Sequence, residues 1–89
     1  MEEIAKKLGI DYPGDEVGGK YIIPLVDSDE YSRVYTLLDK SNLVDLDTDS
    51  TLVTDKVSEL QYFGEGFTVK IDANFVDDIY RVVITKENM

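Results

Sequence analysis

Asp45, Asp47 and Asp49 alternate with Leu46 and Thr48, and carboxylates at every second position can serve three kinds of chemistry. The first is calcium binding, because such a run opens the EF-hand loop with acidic ligands at its first, third and fifth positions. The pattern then departs from that loop. Its sixth position, a turn glycine in EF-hands, is Ser50, and its twelfth, a bidentate glutamate, is Lys56. Only a weak calcium site is expected from it, third among the functional readings. The second chemistry is phosphoryl transfer through an aspartyl nucleophile and magnesium. It needs a phosphate cradle, a supporting lysine and a lid, which a chain of 89 residues without a βαβ scaffold does not supply. The third is recognition. On an extended strand Asp45 and Asp47 share a face about 6.8 Å apart, close to two phosphate steps of one DNA strand at ~3.4 Å each. If the strand continues through Asp49, the three form a row that a phosphate-binding groove would accept.

Two more acidic groups could extend this row. Asp27, Asp29 and Glu30 precede an apolar-periodic segment, where acids also favour a helix N-terminus. Asp77 and Asp78, with Asp72, are assigned to the turn before the last strand. Asp27, Asp29, Glu30, Asp45, Asp47, Asp49, Asp77 and Asp78 are therefore the candidate partner-binding residues, and whether they share a face depends on the fold.

Catalysis lacks its usual parts. The chain has no His and no Cys, which removes the Ser-His-Asp and Cys-His arrangements. Paired carboxylates can hydrolyse glycosides, but a chain this small, without Trp, makes a poor sugar cleft. No enzymatic activity and no cofactor are expected. Nineteen acidic residues against nine basic give a net charge of −10. That field repels phosphate backbones and anionic membranes and attracts cationic surfaces. Direct nucleic-acid binding is not expected on this ground. The longest apolar run, Tyr21–Val26, is broken by Pro24 and falls far short of the ~20 residues of a membrane helix. The N-terminal Met1-Glu2-Glu3 carries acid where a signal peptide carries positive charge. A cytoplasmic location is expected.

The elements that must position these residues read as one α+β domain over residues 1–89. A short helix covers residues 2–8, stopped by Gly9. Asp11–Gly19 is turn-rich and reads as a loop. Lys20–Val26 is a strand whose Pro24 belongs at an edge. Asp27 can cap a helix over about 28–41, with Glu30 returning the bond as a capping box. Tyr31, Val34, Tyr35 and Leu38 then form one apolar stripe, and Asn42 is a candidate left-handed stop. Residues 54–63 read as helix or strand, with strand favoured in the second half. Gly64-Glu65-Gly66 is a hairpin whose glycines allow positive φ. Phe67–Ile71 alternates cleanly, Asp72–Asp78 turns, and Ile79–Thr85 closes a β-meander. Helices packed on one face of a mostly antiparallel sheet of 4–5 strands follow. Tyr31 and Tyr35 are assigned to the core; Tyr12, Tyr62 and Tyr80 are less obviously core, since tyrosine is enriched in interface hot spots, but core placement is favoured for each.

The expected function is a small acidic module that inhibits or modulates a partner by occupying its basic, nucleic-acid-binding surface. Phage anti-restriction and anti-CRISPR proteins are analogues in size and charge only. The alternative is a structural or assembly domain whose acidity serves solubility, forming a homodimer by strand addition near Pro24 or at Thr85.

Overall fold

The computed structural model describes residues 2–87. Its core is the predicted meander: β5 (Val57–Gly64), β6 (Phe67–Asn74) and β7 (Ile79–Lys86) pair antiparallel along their full lengths. Strand β2 (Lys20–Leu25) joins the free side of β7, and β1 (Asp15–Val17) folds back on β2 through Gly18 and Gly19. Both glycines have positive φ, 57° and 81°, as a tight two-residue hairpin requires. On the other side, β3 (Val44–Leu46) and β4 (Leu52–Val53) both pair with β5. The sheet therefore has seven strands, not four or five. The extra ones are two- and three-residue strands on its margins. They exist because a neighbour pairs them, and so short a segment shows no periodicity.

Antiparallel pairing aligns side chains into three transverse rows on one face: Tyr21–Ile84–Val69–Tyr62, Ile23–Val82–Ile71–Leu60, and Leu25–Tyr80–Ala73–Ser58. All twelve are buried. Helix α2 (Ser28–Lys40) adds Val34 and Leu38 to this cluster, and helix α1 (Glu2–Lys7) with its exit adds Ala5, Leu8 and Ile10. Each fully buried aliphatic side chain contributes about 1.5–3 kcal/mol, so the rows and the two helices hold one another in place. The ends of α1 and α2 differ. Gly9 N–H and Ile10 N–H reach back to Lys6 and Ala5 carbonyls, the Schellman pattern expected of a glycine stop. Helix α2 instead ends on an extended Ser41 (φ −75°, ψ 136°), whose Oγ accepts from Leu43 N–H. Asn42 is not left-handed, because that serine bond already turns the chain.

The opposite face carries no helix among the described residues and mixes charged side chains with apolar ones such as Ile22, Phe63, Ile79 and Val83. Lys70 Nζ lies 3.7 Å from Glu59 and 3.9 Å from Asp72, and Arg81 Nε donates to Asp72 Oδ2 at 3.0 Å. Asp72 is thus a strand residue on β6, not part of the turn, and its charge is matched by two cations. Thr85 lies in β7, between β2 and β6, so it offers no edge for strand addition. Pro24 lies beyond the end of β1, where no outer neighbour needs its missing N–H.

Candidate protein-binding surface

The pairing of β2 with β7 decides where the acids go. Leu25 stands opposite Tyr80. Asp27, two residues after Leu25, and Asp78, two residues before Tyr80, are thereby delivered to the same end of the sheet. Asp27 caps α2: its backbone is extended and its Oδ1 accepts from Glu30 N–H at 3.0 Å. The Glu30 carboxylate returns a bond to Val26 N–H at 2.7 Å, one residue ahead of the cap position that a capping box would use. Asp78 is the single non-glycine residue with positive φ among those described, at 56°. Aspartate is one of the few side chains that tolerate this region. Asp78 beside the Tyr80 hydroxyl, then burial and the charge of Asp27, raise the phenol above its usual pKa.

Between these acids stands an aromatic cluster. Tyr31 on α2 packs in parallel on Tyr35 (centroids 6.5 Å apart, planes 13° apart), edge-on to Phe75 (6.2 Å) and against Tyr80 (5.6 Å). Phe75 and Tyr80 also meet edge to face at 6.2 Å. Phe75 comes from the β6–β7 turn, which is built locally. Asn74 Oδ1 accepts from the N–H groups of Val76 and Asp77, Asn74 Nδ2 donates to Asp77 Oδ2, and Phe75 N–H donates to the Lys56 carbonyl. The turn thus holds Phe75 45 % exposed and Val76 71 % exposed beside Asp77 and Asp78, while Tyr35 is 41 % exposed.

The floor of the cluster is polar and buried. Tyr31 OH donates to Ser58 Oγ at 3.2 Å. Tyr62, only 1 % exposed, has a hydroxyl with no hydrogen-bond partner. Burial, chiefly, pushes its pKa up to about 12, and Tyr35, Asp39 and Tyr31 add to the effect. The core assignment of Tyr35 is therefore reversed, whereas core placement of Tyr62 and Tyr80 holds. Tyr62 and Tyr80 are core residues because they alternate onto the helix-covered face. Tyr35 lies at the margin of α2, stacked along Tyr31 with its hydroxyl free to reach water.

The Asp45–Asp49 run has a different fate. Strand β3 ends at Leu46, leaving only Asp45 extended, opposite Phe63. Asp47 N-caps a single 3-10 turn (Thr48–Ser50), its Oδ1 accepting from Asp49 N–H at 3.2 Å. Asp47 N–H donates to Gln61 O, and Thr51 Oγ1 donates to Asp47 O. The three carboxylates do not form an evenly spaced row, because aspartate bonds its own backbone here in preference to continuing the strand. Four strand spacings, about 19 Å, separate β3 from β2. The run is therefore remote from the other two acidic groups, which do share an end.

Comparison with known families, characterised proteins and solved structures gives no match to this chain. Among the described residues, no three acids converge in a way that could hold a metal ion, and no helix is long and apolar enough to cross a membrane. Sequence reasoning passed over Phe75 and Val76. The available signal was two apolar residues between Asn74 and Asp77 in a turn, where the sheet has no means of burying them.

Proposed function

We propose that this chain is a non-enzymatic, cytoplasmic protein-binding module that docks on a basic surface of a partner. The supporting observation is the convergence of Asp27, Asp77 and Asp78 on the half-exposed Tyr31–Tyr35–Phe75 cluster. Exposed aromatics supply contact area at low entropic cost, and surrounding charges steer and select the partner. With a net charge of −10, the favoured partner class is a nucleic-acid-handling enzyme, whose cationic groove the module would occupy and block. The even, phosphate-like spacing expected of Asp45, Asp47 and Asp49 lends this no support, so occupancy rests on the aromatic end and on overall charge.

The test compares capture and affinity for three proteins: wild type, Tyr35→Ser/Phe75→Ser, and Asp45→Asn/Asp47→Asn/Asp49→Asn. Thermal melts confirm that each is folded. A basic partner should bind wild type in a salt-sensitive manner, bind the first variant at least about tenfold more weakly, and bind the triple variant within about threefold of wild type. Equal binding to wild type and the Tyr35/Phe75 variant would overturn the assignment. Capture of the chain's own copies alone would favour the assembly alternative.

A further inference from the structure

We infer that the aromatic end reads arginine in its partner: guanidinium groups stack singly on the exposed rings of Phe75 and Tyr35 and donate to the acids of this end. This rests on the protein-binding function proposed above and specifies its chemistry.

The rings form a platform, not a cage. Tyr31 packs on Tyr35, Phe75 and Tyr80 with centroids 5.6–6.5 Å apart, and the Tyr35 and Phe75 planes stand nearly perpendicular, so each offers its own face. What they offer is outward-facing surface on Tyr35 and Phe75, at 41 % and 45 % exposure. A flat, weakly hydrated cation suits such a surface, whereas a compact ammonium that keeps its water does not. The neighbouring acceptors also suit a forked donor. Asp27 uses Oδ1 for Glu30 N–H, and Asp77 uses Oδ2 for Asn74 Nδ2. Each has a second oxygen for an outside donor, and guanidinium can engage such oxygens with several N–H groups at once.

Charge complementarity selects the occupant. An apolar or acidic segment would face Asp27, Asp77 and Asp78, and a nucleic acid would face the whole net charge of −10. A lysine-rich segment satisfies the charge but gains little from the rings. An arginine-bearing segment satisfies both.

The experiment measures fluorescence anisotropy with labelled oligo-arginine and oligo-lysine peptides of equal length at low salt. The proteins are wild type, Tyr35→Leu/Phe75→Leu and Asp77→Asn. Wild type should bind the arginine peptide about five- to tenfold more tightly than the lysine peptide. In Tyr35→Leu/Phe75→Leu that ratio should fall to near one, while Asp77→Asn weakens binding of the arginine peptide more than that of the lysine peptide. Equal affinities for the two peptides in wild type, or no binding of either, would overturn the inference. So would a ratio unchanged by Tyr35→Leu/Phe75→Leu. The protein-binding function fails separately, if the partner captured by wild type is held equally well by Tyr35→Ser/Phe75→Ser.

Discussion

Two acidic regions of this protein carry similar charge in different structural settings. At the end where β2 meets β7, Asp27, Asp77 and Asp78 surround aromatic rings that rest on the core. Along the far margin, Asp45, Asp47 and Asp49 sit on a three-residue strand and a 3-10 turn that bury none of the residues from Asp45 to Thr51. Density of acid in the sequence therefore says little about function. The decisive difference is what lies between the acids: half-exposed aromatics at one end, backbone N–H groups at the other. Contact with a partner is proposed for the first region on that basis, and general electrostatic steering for the second.

The largest expected effect is at alkaline pH, through the buried Tyr62 on the helix-covered face. An unfolded tyrosine titrates near ~10, whereas Tyr62 is held at about 12, mainly by burial. Below about pH 10 both states are protonated and nothing changes. Above it the unfolded chain releases a proton that the native state keeps, so stability falls as pH rises toward 12. The loss should reach roughly 2–3 kcal/mol, since each tenfold difference in proton affinity between the two states is worth ~1.4 kcal/mol. Tyr80, also raised, acts in the same direction. Urea unfolding from neutral pH upward checks this, with Tyr62→Phe as control. That variant should lose most of the slope. At neutral pH it should also gain about 1 kcal/mol, because it removes a buried hydroxyl without a partner. An identical slope in Tyr62→Phe would show that Tyr62 does not titrate as described.

Next in size is the contrast between two capping aspartates. Asp27→Ala removes the cap of a helix that carries Val34 and Leu38 into the core, and should cost about 1–2 kcal/mol. A domain of this size then melts about 4–8 °C lower per kcal/mol. Asp47→Ala removes the same kind of bond from a 3-10 turn with no buried residue, and should cost less than about 0.5 kcal/mol. Calorimetric melts of both variants decide it. Similar losses would mean that the far margin is as integral to the fold as α2.

Local chemistry was legible in the sequence wherever one element decided it. The Asp27 cap, the Val34–Leu38 stripe, the alternation of Phe67–Ile71 and the Gly9 stop all depend on residues within a few positions of one another. What depends on pairing was not. Strand β1 is too short to show a period and lies in a stretch that reads as a loop, and residues 54–63 read as helix or strand until pairing with β6 makes all of Val57–Gly64 extended. The two hairpin glycines between β5 and β6 illustrate the point. Gly66 has the expected positive φ of 84°, but Gly64 does not. A Cβ there would stand 2.9 Å from the Leu43 carbonyl and 2.5 Å from the Phe67 ring, so its reason is close approach. The meeting of Asp27 with Asp78 was equally hidden, since it follows from the register that sets Leu25 opposite Tyr80.

The smallest expected effect separates steering from contact most sharply. Asp45→Asn/Asp49→Asn lowers the net charge from −10 to −8 at two exposed positions. Neither carboxylate is an ion-pair partner of Lys6, Lys70 or Arg81, whose acids are Glu2, Glu59 and Asp72. Stability should stay within about 0.5 kcal/mol of wild type, with any gain confined to low salt, where self-repulsion is strongest. With a basic partner, the association rate should fall about twofold at low salt, converge with wild type as salt is raised, and leave the dissociation rate unchanged. Asp77→Asn should do the reverse, raising the dissociation rate at every salt concentration, because its carboxylate lies in the contact itself. Surface-plasmon kinetics on the two variants give both rates. If dissociation also accelerates in the Asp45/Asp49 variant, the far margin lies inside the interface. The partner must then span the roughly 19 Å between β2 and β3, and the two acidic regions are halves of one surface.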